Sequence, residues 1–283
     1  MNKKLKNKNI VKVNEVEFAN DYPFVLIAGP CQIESKDHAV DVCSRISEIT
    51  QKLSIKFVYK SSFDKANRSS HESSRGIGMN KGLEILEHIK KTFNCPVLTD
   101  VHESWQCKEV AKYIDIIQIP AFLCRQTDLL IAAAETKLCV NIKKGQFLSP
   151  WEMKNVIKKV ESVGNKKILV TERGTMFGYN NLVSDMRSLP ILKEYGYPVI
   201  FDATHSVQLP GNNGKSSGGQ SEFVSILAKA AITAGISSIF IETHQNPSIA
   251  PSDGANMIPL DNLSNLLYQI KLFDDVLKNS RIM

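Results

Sequence analysis

Eight short apolar runs, rich in β-branched residues, recur along the chain and are separated by segments long enough to cross back over a sheet. Continuous apolar runs indicate strands buried on both faces, and parallel strands need such crossovers. The pattern predicts an α/β protein, a (β/α)8 TIM barrel whose active site lies where the strands end. The runs are FVLIAGP from Phe24, KFVYKS from Lys56, PVLTDVH from Pro96, DIIQIP from Asp115, VNIKKG from Val140, ILVTERG from Ile168, VIFDATH from Val199 and SIFIETH from Ser238.

Each run ends at or just before a residue that can take part in chemistry. A random scatter of polar residues would not favour the same end of every strand, so the pattern predicts an enzyme. The residues are Cys31, Lys60, Asp100, Gln118, Lys143, Arg173, His205 and Glu242.

The segments between and beside the runs predict the rest of a single domain spanning residues 1–283. Residues 9–19 alternate apolar and polar positions around Asn14-Glu15, which predicts a short β-hairpin that caps the bottom of the barrel. Ser35, Ser104, Thr127 and Ser149 are expected helix N-caps, and SPWE at Ser149 has the spacing of a capping box. Helical periodicity covers 35–53, 81–92, 104–112, 127–137, 149–163 and 260–277.

Composition limits the class of protein. The net charge of +6 comes from dispersed Lys and Arg, so nucleic-acid binding is not expected. No apolar stretch is long enough to span a membrane, and the basic start MNKKLKNKNI lacks the apolar segment of a secretory signal. Six cysteines without a C-x-x-C pair favour a reduced, cytoplasmic protein.

The βα loop after the seventh run is long and rich in Gly and Ser. GNNGKSS superficially resembles a phosphate-binding P-loop, but Leu209 stands where that motif needs its first glycine, so we reject that interpretation. For residues 211–221, a lid over the substrate and a plain surface loop both remain open.

Cations cluster at the predicted active-site end. Lys60, Lys143 and Arg173 lie directly on apolar runs, where burial of a charge is costly unless it meets an anion. Together with Lys65 and Arg68 in the second βα loop, they suit an anionic ligand with two phosphates. A strand-end lysine forming a Schiff base is the alternative.

A second set of residues has the donors of a metal site. The seventh, eighth and first strands are neighbours in a closed barrel, which brings Cys31, His205 and Glu242 together, with Asp253 in the loop that follows. Mixed S, N and O donors suit Zn²⁺ or Fe²⁺ better than Mg²⁺. His102 and His244 are weaker candidates that could orient such ligands.

From about Phe24 to Leu260 the chain resembles the 3-deoxy-D-manno-octulosonate 8-phosphate synthase family. The resemblance implies a (β/α)8 barrel, usually a homotetramer, that condenses phosphoenolpyruvate with D-arabinose 5-phosphate and water in lipopolysaccharide inner-core sugar biosynthesis. The motifs are IAGPCQIES, YKSSFDKANRSS, LTDVHE, IPAFLCRQTDL, VNIKKGQFLSPW, TERGTMFGY, FDATHSVQLPG and IETHQNP.

The same resemblance implies residue roles. Phosphoenolpyruvate would be held by Lys60, Lys65, Lys143, Gln146 and Arg173, its phosphate mainly by Lys143 and Arg173. Arabinose 5-phosphate would be held by Asn67, Arg68 and Ser69, with Arg125 reaching its phosphate from a neighbouring subunit and with Asp100 and Gln118 in support.

Family members divide into metal-requiring and metal-free forms, largely by Cys or Asn at the position of Cys31. The cysteine here implies a divalent metal, Zn²⁺ or Fe²⁺ with Mn²⁺ as an exchangeable substitute, and no organic cofactor. The implied ligands are Cys31, His205, Glu242 and Asp253, and the implied catalytic residues are Lys60, Lys65, His205 and Asp253.

Three alternative functions remain open. A related synthase uses erythrose 4-phosphate, but it typically carries a KPRTS-type motif where KANRSS stands here. The others are a Schiff-base aldolase and a protein that only binds a sugar phosphate.

Overall fold

A computed structural model describes residues 9–66, 75–210 and 218–280. Eight parallel strands form a closed barrel, because the last strand pairs with both the first and the seventh (Glu242↔Gly29 and Ser238↔Ile200). The (β/α)8 prediction is therefore confirmed. The strands are β1 Val25–Gly29, β2 Phe57–Lys60, β3 Val97–Asp100, β4 Ile116–Ile119, β5 Cys139–Lys143, β6 Ile168–Glu172, β7 Val199–Asp202 and β8 Ser238–His244.

Helices follow the strands around the outside of the barrel. They are α1 Lys36–Lys52, α2 Met79–Phe93, α3 Ser104–Val110, α4 Thr127–Glu135, α5 Met153–Glu161, α6 Ser188–Lys193, α7 Val224–Thr233 and α8 Leu260–Asn279. No helix among the described residues is long and apolar enough to cross a membrane.

Two of the four expected N-caps are confirmed. The Ser35 side chain accepts from the His38 backbone N–H, and Ser149 forms the predicted capping box with Glu152. The other two are wrong by one position, because α3 and α4 begin at Ser104 and Thr127 themselves.

Alternate residues of each strand face opposite sides, which separates the core into two layers. In β1, Leu26 and Ala28 belong to the apolar layer between strands and helices, whereas Val25 and Ile27 fill the lumen. The predicted hairpin forms from Val11–Val13 and Val16–Phe18, and its buried residues join the lumen cluster. The hairpin therefore closes the bottom of the barrel, opposite the strand ends that carry polar residues.

Gly29 sets the spacing at the other end of the barrel. A Cβ built on Gly29 would lie 2.0 Å from the Lys60 backbone oxygen, so only glycine lets β1 and β2 approach this closely. That approach lets the Lys60 ammonium donate to the Cys31 backbone oxygen, 3.2 Å away.

Candidate active site

The C-terminal mouth of the barrel contains an unusual density of buried charge. A buried ion is costly unless it is paired, so these groups indicate a site built for charged ligands. The charged side chains that are almost completely buried there include Lys60, Lys143, Lys144, Glu172, Arg173, Asp202 and Glu242.

Two ion pairs cross the mouth. Lys60 Nζ lies 2.5 Å from Glu242 Oε1, and Lys143 Nζ contacts Asp202 Oδ2. Burial lowers the pKa of Lys143 to about 8, partly opposed by Asp202. Its ammonium also lies 3.3 Å from the centroid of the Phe240 ring, which fills the lumen just below.

Ser62 links Lys65 to Asp100 by hydrogen bonds. Lys65 Nζ donates to Ser62 Oγ at 2.9 Å, and the Ser62 hydroxyl donates to Asp100 Oδ1. Burial would raise the pKa of Asp100, but His102 and Lys65 hold it well below its ordinary value. Gln118 lies on β4, in register with Asp100, and accepts a hydrogen bond from Asn141 at 3.0 Å.

Arg173 presents an unused donor. Its Nη2 donates to Gln208 Oε1 at 2.8 Å, but buried Nη1 has no hydrogen-bond partner among residues 9–66, 75–210 and 218–280. Within the same ranges the buried Oε1 of Gln146 also lacks one. A buried guanidinium with a free N–H edge is suited to a phosphate or carboxylate.

Cys31, Glu242 and Asp253 form a compact donor cluster. Each offers one ligand atom, and these atoms lie within 4.8 Å of one another. Cys31 Sγ lies 3.2 Å from both Asp253 Oδ2 and Ser252 Oγ, so its single S–H has two possible acceptors. Burial raises the pKa of Cys31, reinforced by Glu242, so the thiol stays protonated unless a cation stabilises the thiolate.

His205 lies next to this donor cluster, on the side of Glu242. Its Nε2 lies 3.5 Å from Glu242 Oε2, and its Nδ1 lies 2.7 Å from Asp202 Oδ2. A carboxylate that orients a histidine through its other nitrogen is the usual support for a metal ligand. The four residues offer the mixed S, N and O donors that suit Zn²⁺ or Fe²⁺, but only Cys31, Glu242 and Asp253 lie within 4.8 Å of one another, and His205 lies outside that group.

Other predicted residues are not brought into this cluster. Arg125 is exposed just after a short 3-10 turn, where its backbone oxygen accepts from Lys159 at 2.8 Å. Asn67, Arg68 and Ser69 lie outside the described residues.

Three contributors were missed from the sequence. Asp202 contacts both Lys143 and His205, and its place in FDATH at the end of a predicted strand could have revealed it. Ser62 and Gln208 have no comparable signal, because each acts as a bridge between groups far apart in the sequence.

A second group of donors, Glu34, His38 and His244, lies above β1 and β8. His244 Nδ1 accepts from the Asn246 backbone N–H at 3.0 Å, so the neutral ring carries its proton on Nε2. That Nε2 lies 2.8 Å from Glu34 Oε1, leaving no lone pair there for a metal. The group therefore links the loops that carry Cys31 and Asp253, and is not a second metal centre.

Comparison with known proteins identifies the family. The DAHP synthetase I family model matches residues 4–279. A 2-dehydro-3-deoxyphosphooctonate aldolase from Rickettsia prowazekii is 60% identical over 271 residues, covering 96% of this chain and 98% of that protein. Proteins of the same name from Bartonella henselae (59% over 271 residues, 96% and 97% coverage) and Brucella anthropi (59% over 268 residues, 95% and 97%) are similar. The resemblance drawn from the motifs is confirmed, and the chain belongs to the DAHP synthetase I family, among relatives named 2-dehydro-3-deoxyphosphooctonate aldolase.

Proposed function

We propose that this enzyme condenses phosphoenolpyruvate with D-arabinose 5-phosphate and water, giving 3-deoxy-D-manno-octulosonate 8-phosphate and inorganic phosphate for lipopolysaccharide biosynthesis. The names of relatives at 59–60% identity support this carbon-carbon bond-forming activity. The observation that carries the proposal is the group of buried cations, Lys60, Lys143 and Arg173, beside the Cys31–Glu242–Asp253 donors. Such a site can hold a doubly anionic enol phosphate close to an electrophile.

Phosphoenolpyruvate would bind across β2, β5 and β6. Its phosphate would accept from Lys143 and from the free Nη1 edge of Arg173, with Gln146 beside them. Lys60 and Lys65 would meet its carboxylate side, and the negative groups around Lys65 keep it charged despite burial, because they raise its pKa.

Arabinose 5-phosphate would bind above, through Asn67, Arg68 and Ser69. Asp100 and Gln118, at the ends of β3 and β4, would support its hydroxyl groups. Arg125 would reach its phosphate from a neighbouring subunit of a homotetramer, and the exposure of Arg125 in this chain supports that assignment.

Cys31, His205, Glu242 and Asp253 would hold one divalent cation, Zn²⁺ or Fe²⁺, exchangeable with Mn²⁺. When bound, the cation would polarise the sugar aldehyde or acidify the water that adds at C2. Asp202 would keep the His205 ring in the required orientation from the opposite nitrogen.

The bond changes follow from the substrates. C3 of the enol phosphate attacks the aldehyde carbon, and the alkoxide formed there takes up one proton. Water adds at C2 and loses one proton, which gives a hemiketal phosphate. Its C–O bond to the phosphate then breaks as the C2 hydroxyl becomes the ketone, and the proton of that hydroxyl passes to the departing phosphate. Lys60, Lys65, His205 and Asp253 are the groups we assign to these proton movements, because Asp253 belongs to the donor cluster and the other three lie next to it.

A cytoplasmic location is part of this proposal. All six cysteines are unpaired in the structure, as expected for a reducing compartment.

The decisive test measures phosphate release from phosphoenolpyruvate with arabinose 5-phosphate and, in parallel, with erythrose 4-phosphate, before and after chelation. Turnover with the five-carbon sugar that stops on chelation and returns with Zn²⁺ or Mn²⁺ is the expected result. Preference for erythrose 4-phosphate would reassign the substrate, and turnover that persists after verified metal removal would remove the metal from the proposal.

A Schiff-base aldolase is the second candidate because the pKa of Lys143 is lowered to about 8, which makes its amine a better nucleophile. Borohydride treatment in the presence of substrate would trap an adduct on Lys143 in that case. We expect none, because Lys143 is paired with Asp202.

A further inference from the structure

The Gln208 side chain links Arg173, a proposed phosphate ligand, to Asp253, a proposed metal ligand. Its Oε1 accepts from Arg173 Nη2 at 2.8 Å, and its Nε2 donates to Asp253 Oδ1 at 3.1 Å. A guanidinium can only donate and a carboxylate only accepts, so the two partners fix which end of the amide faces which. Lysine, arginine or an ionised carboxylate at this position could serve only one of them.

Each of the two hydrogen bonds uses only one polar atom of the partner side chain. Arg173 uses Nη2 toward Gln208, while Nη1 has no partner within the described ranges. Asp253 uses Oδ1 toward Gln208, while Oδ2 faces Cys31 and Ser252. A ligand on Nη1 and a cation on Oδ2 can therefore be bound while the amide bridge remains in place.

The backbone around Gln208 is fastened to the loop that carries Asp253. Gln208 pairs with Gly219 in a two-residue ladder, and Gly219 packs directly on the Asn256 side chain. A Cβ at position 219 would lie 1.6 Å from Asn256 Oδ1 and 2.9 Å from the Ala255 backbone oxygen, so a larger residue there would displace Asn256 and push against the backbone of the Asp253 loop. Gln208 is thus held against the Asp253 loop by both its side chain and its strand partner.

We propose that Gln208 is a positioning residue that couples anion binding at Arg173 to cation binding at Asp253. This inference rests on the proposed function, because it takes phosphoenolpyruvate and a divalent metal as the two ligands. An anion on Nη1 fixes the guanidinium, which orders the Gln208 amide and hence the Asp253 carboxylate for the cation. Because coupling between two equilibrium binding events is reciprocal, the metal must tighten phosphoenolpyruvate binding by the same factor.

The test measures Mn²⁺ affinity of the full chain, freed of metal by chelation, by calorimetry with and without phosphoenolpyruvate. No sugar phosphate is added, so no turnover occurs. Charge attraction between the ligands contributes some coupling without any bridge, so the comparison is between variants. The variants are Gln208→Leu, which removes both hydrogen bonds, Gln208→Glu, which keeps only the acceptor for Arg173, and the control Gln220→Leu, an exposed glutamine at the other end of the same loop.

We expect phosphoenolpyruvate to tighten Mn²⁺ binding in the wild type and in Gln220→Leu by the same factor. In both Gln208 variants the ratio of Mn²⁺ affinities with and without phosphoenolpyruvate should fall at least about threefold. This is the size of effect expected when residues are coupled through one hydrogen-bond network. A factor that falls by less than about threefold in folded Gln208→Leu or Gln208→Glu overturns the coupling. Different results would contradict the proposed function itself. They are a wild-type enzyme that binds no metal, or one that does not turn over arabinose 5-phosphate.

Discussion

The Asp202 carboxylate lies 2.7 Å from His205 Nδ1 through Oδ2, the same oxygen that contacts Lys143 Nζ. Burial would raise the pKa of Asp202, but His205 and Lys143 hold it far below its ordinary value, so it stays ionised. One negative charge therefore supports both a proposed metal ligand and a proposed phosphate ligand.

Asp202→Asn should weaken metal affinity by roughly 10–100-fold, as loss of a supporting carboxylate behind a histidine ligand usually does. It should also raise the KM for phosphoenolpyruvate, because Lys143 loses its partner. Metal affinity is measured by competition with a chelator, and Asp185→Asn, an exposed carboxylate paired with Arg187, is the matched control. Unchanged metal affinity would mean that Asp202 serves only Lys143.

Cys31→Asn should lower the bound metal measured by elemental analysis, because an amide replaces the thiolate. The loss of affinity should exceed the roughly 10–100-fold that a supporting contact contributes. Cys43→Ser provides a comparison at a buried thiol on α1, outside the donor cluster. Metal content equal to wild type in Cys31→Asn would exclude Cys31 as a ligand.

Arg173→Ala should raise the KM for phosphoenolpyruvate by roughly 10–100-fold, the range expected when hydrogen bonds to a charged group are lost. The KM for arabinose 5-phosphate should change far less, since a different set of residues is assigned to it. Steady-state kinetics with each substrate varied in turn separates the two effects. Arg187→Ala removes an exposed arginine and should leave both constants unchanged.

The affinity for phosphoenolpyruvate should fall as the pH rises through about 8. The pKa of Lys143 is lowered to about 8 by burial, so above that pH the amine is increasingly neutral and no longer attracts phosphate. The KM should be flat below this pKa and approach about a tenfold rise per pH unit above it. Lys143→Arg, if active, should move the rise beyond the accessible range, because a guanidinium keeps its charge. A KM that is flat to about pH 9.5 in the wild type would contradict the assignment of Lys143.

Arg125 can be tested by mixing subunits. Arg125→Ala and Arg68→Ala should each be nearly inactive with arabinose 5-phosphate. If each site combines its own Arg68 with a neighbour's Arg125, random reassembly of the two variants should restore about a quarter of the sites. No recovery after verified subunit exchange would place both arginines in one subunit or remove Arg125 from the site.

The barrel and its polar mouth could be predicted because both follow from local periodicity. The apolar run of a buried strand stops close to the C-terminal end of that strand, so the sequence alone places Lys60, Lys143 and Glu242 near the mouth. The helix α6 was not predicted, because six residues with an internal proline carry no measurable period. The mostly apolar α7 also lacks an amphipathic pattern.

The connections within the site could not be predicted. Gln208 and Asp253 are 45 positions apart, and Ser62 and Asp100 are 38 apart. Neither the period of a strand nor that of a helix relates such positions, and only the closed barrel brings them together. The sequence therefore indicates which side chains lie at the mouth, but not which of them form hydrogen bonds or ion pairs with one another.

The hydrogen bond from Cys31 Sγ to Asp253 Oδ2 spans 3.2 Å. An asparagine in that place would present an amide N–H to the same carboxylate, so the surrounding loops could keep their shape. The change between metal-requiring and metal-free forms that the resemblance implies would then need one side chain to be exchanged and no loop to be rebuilt.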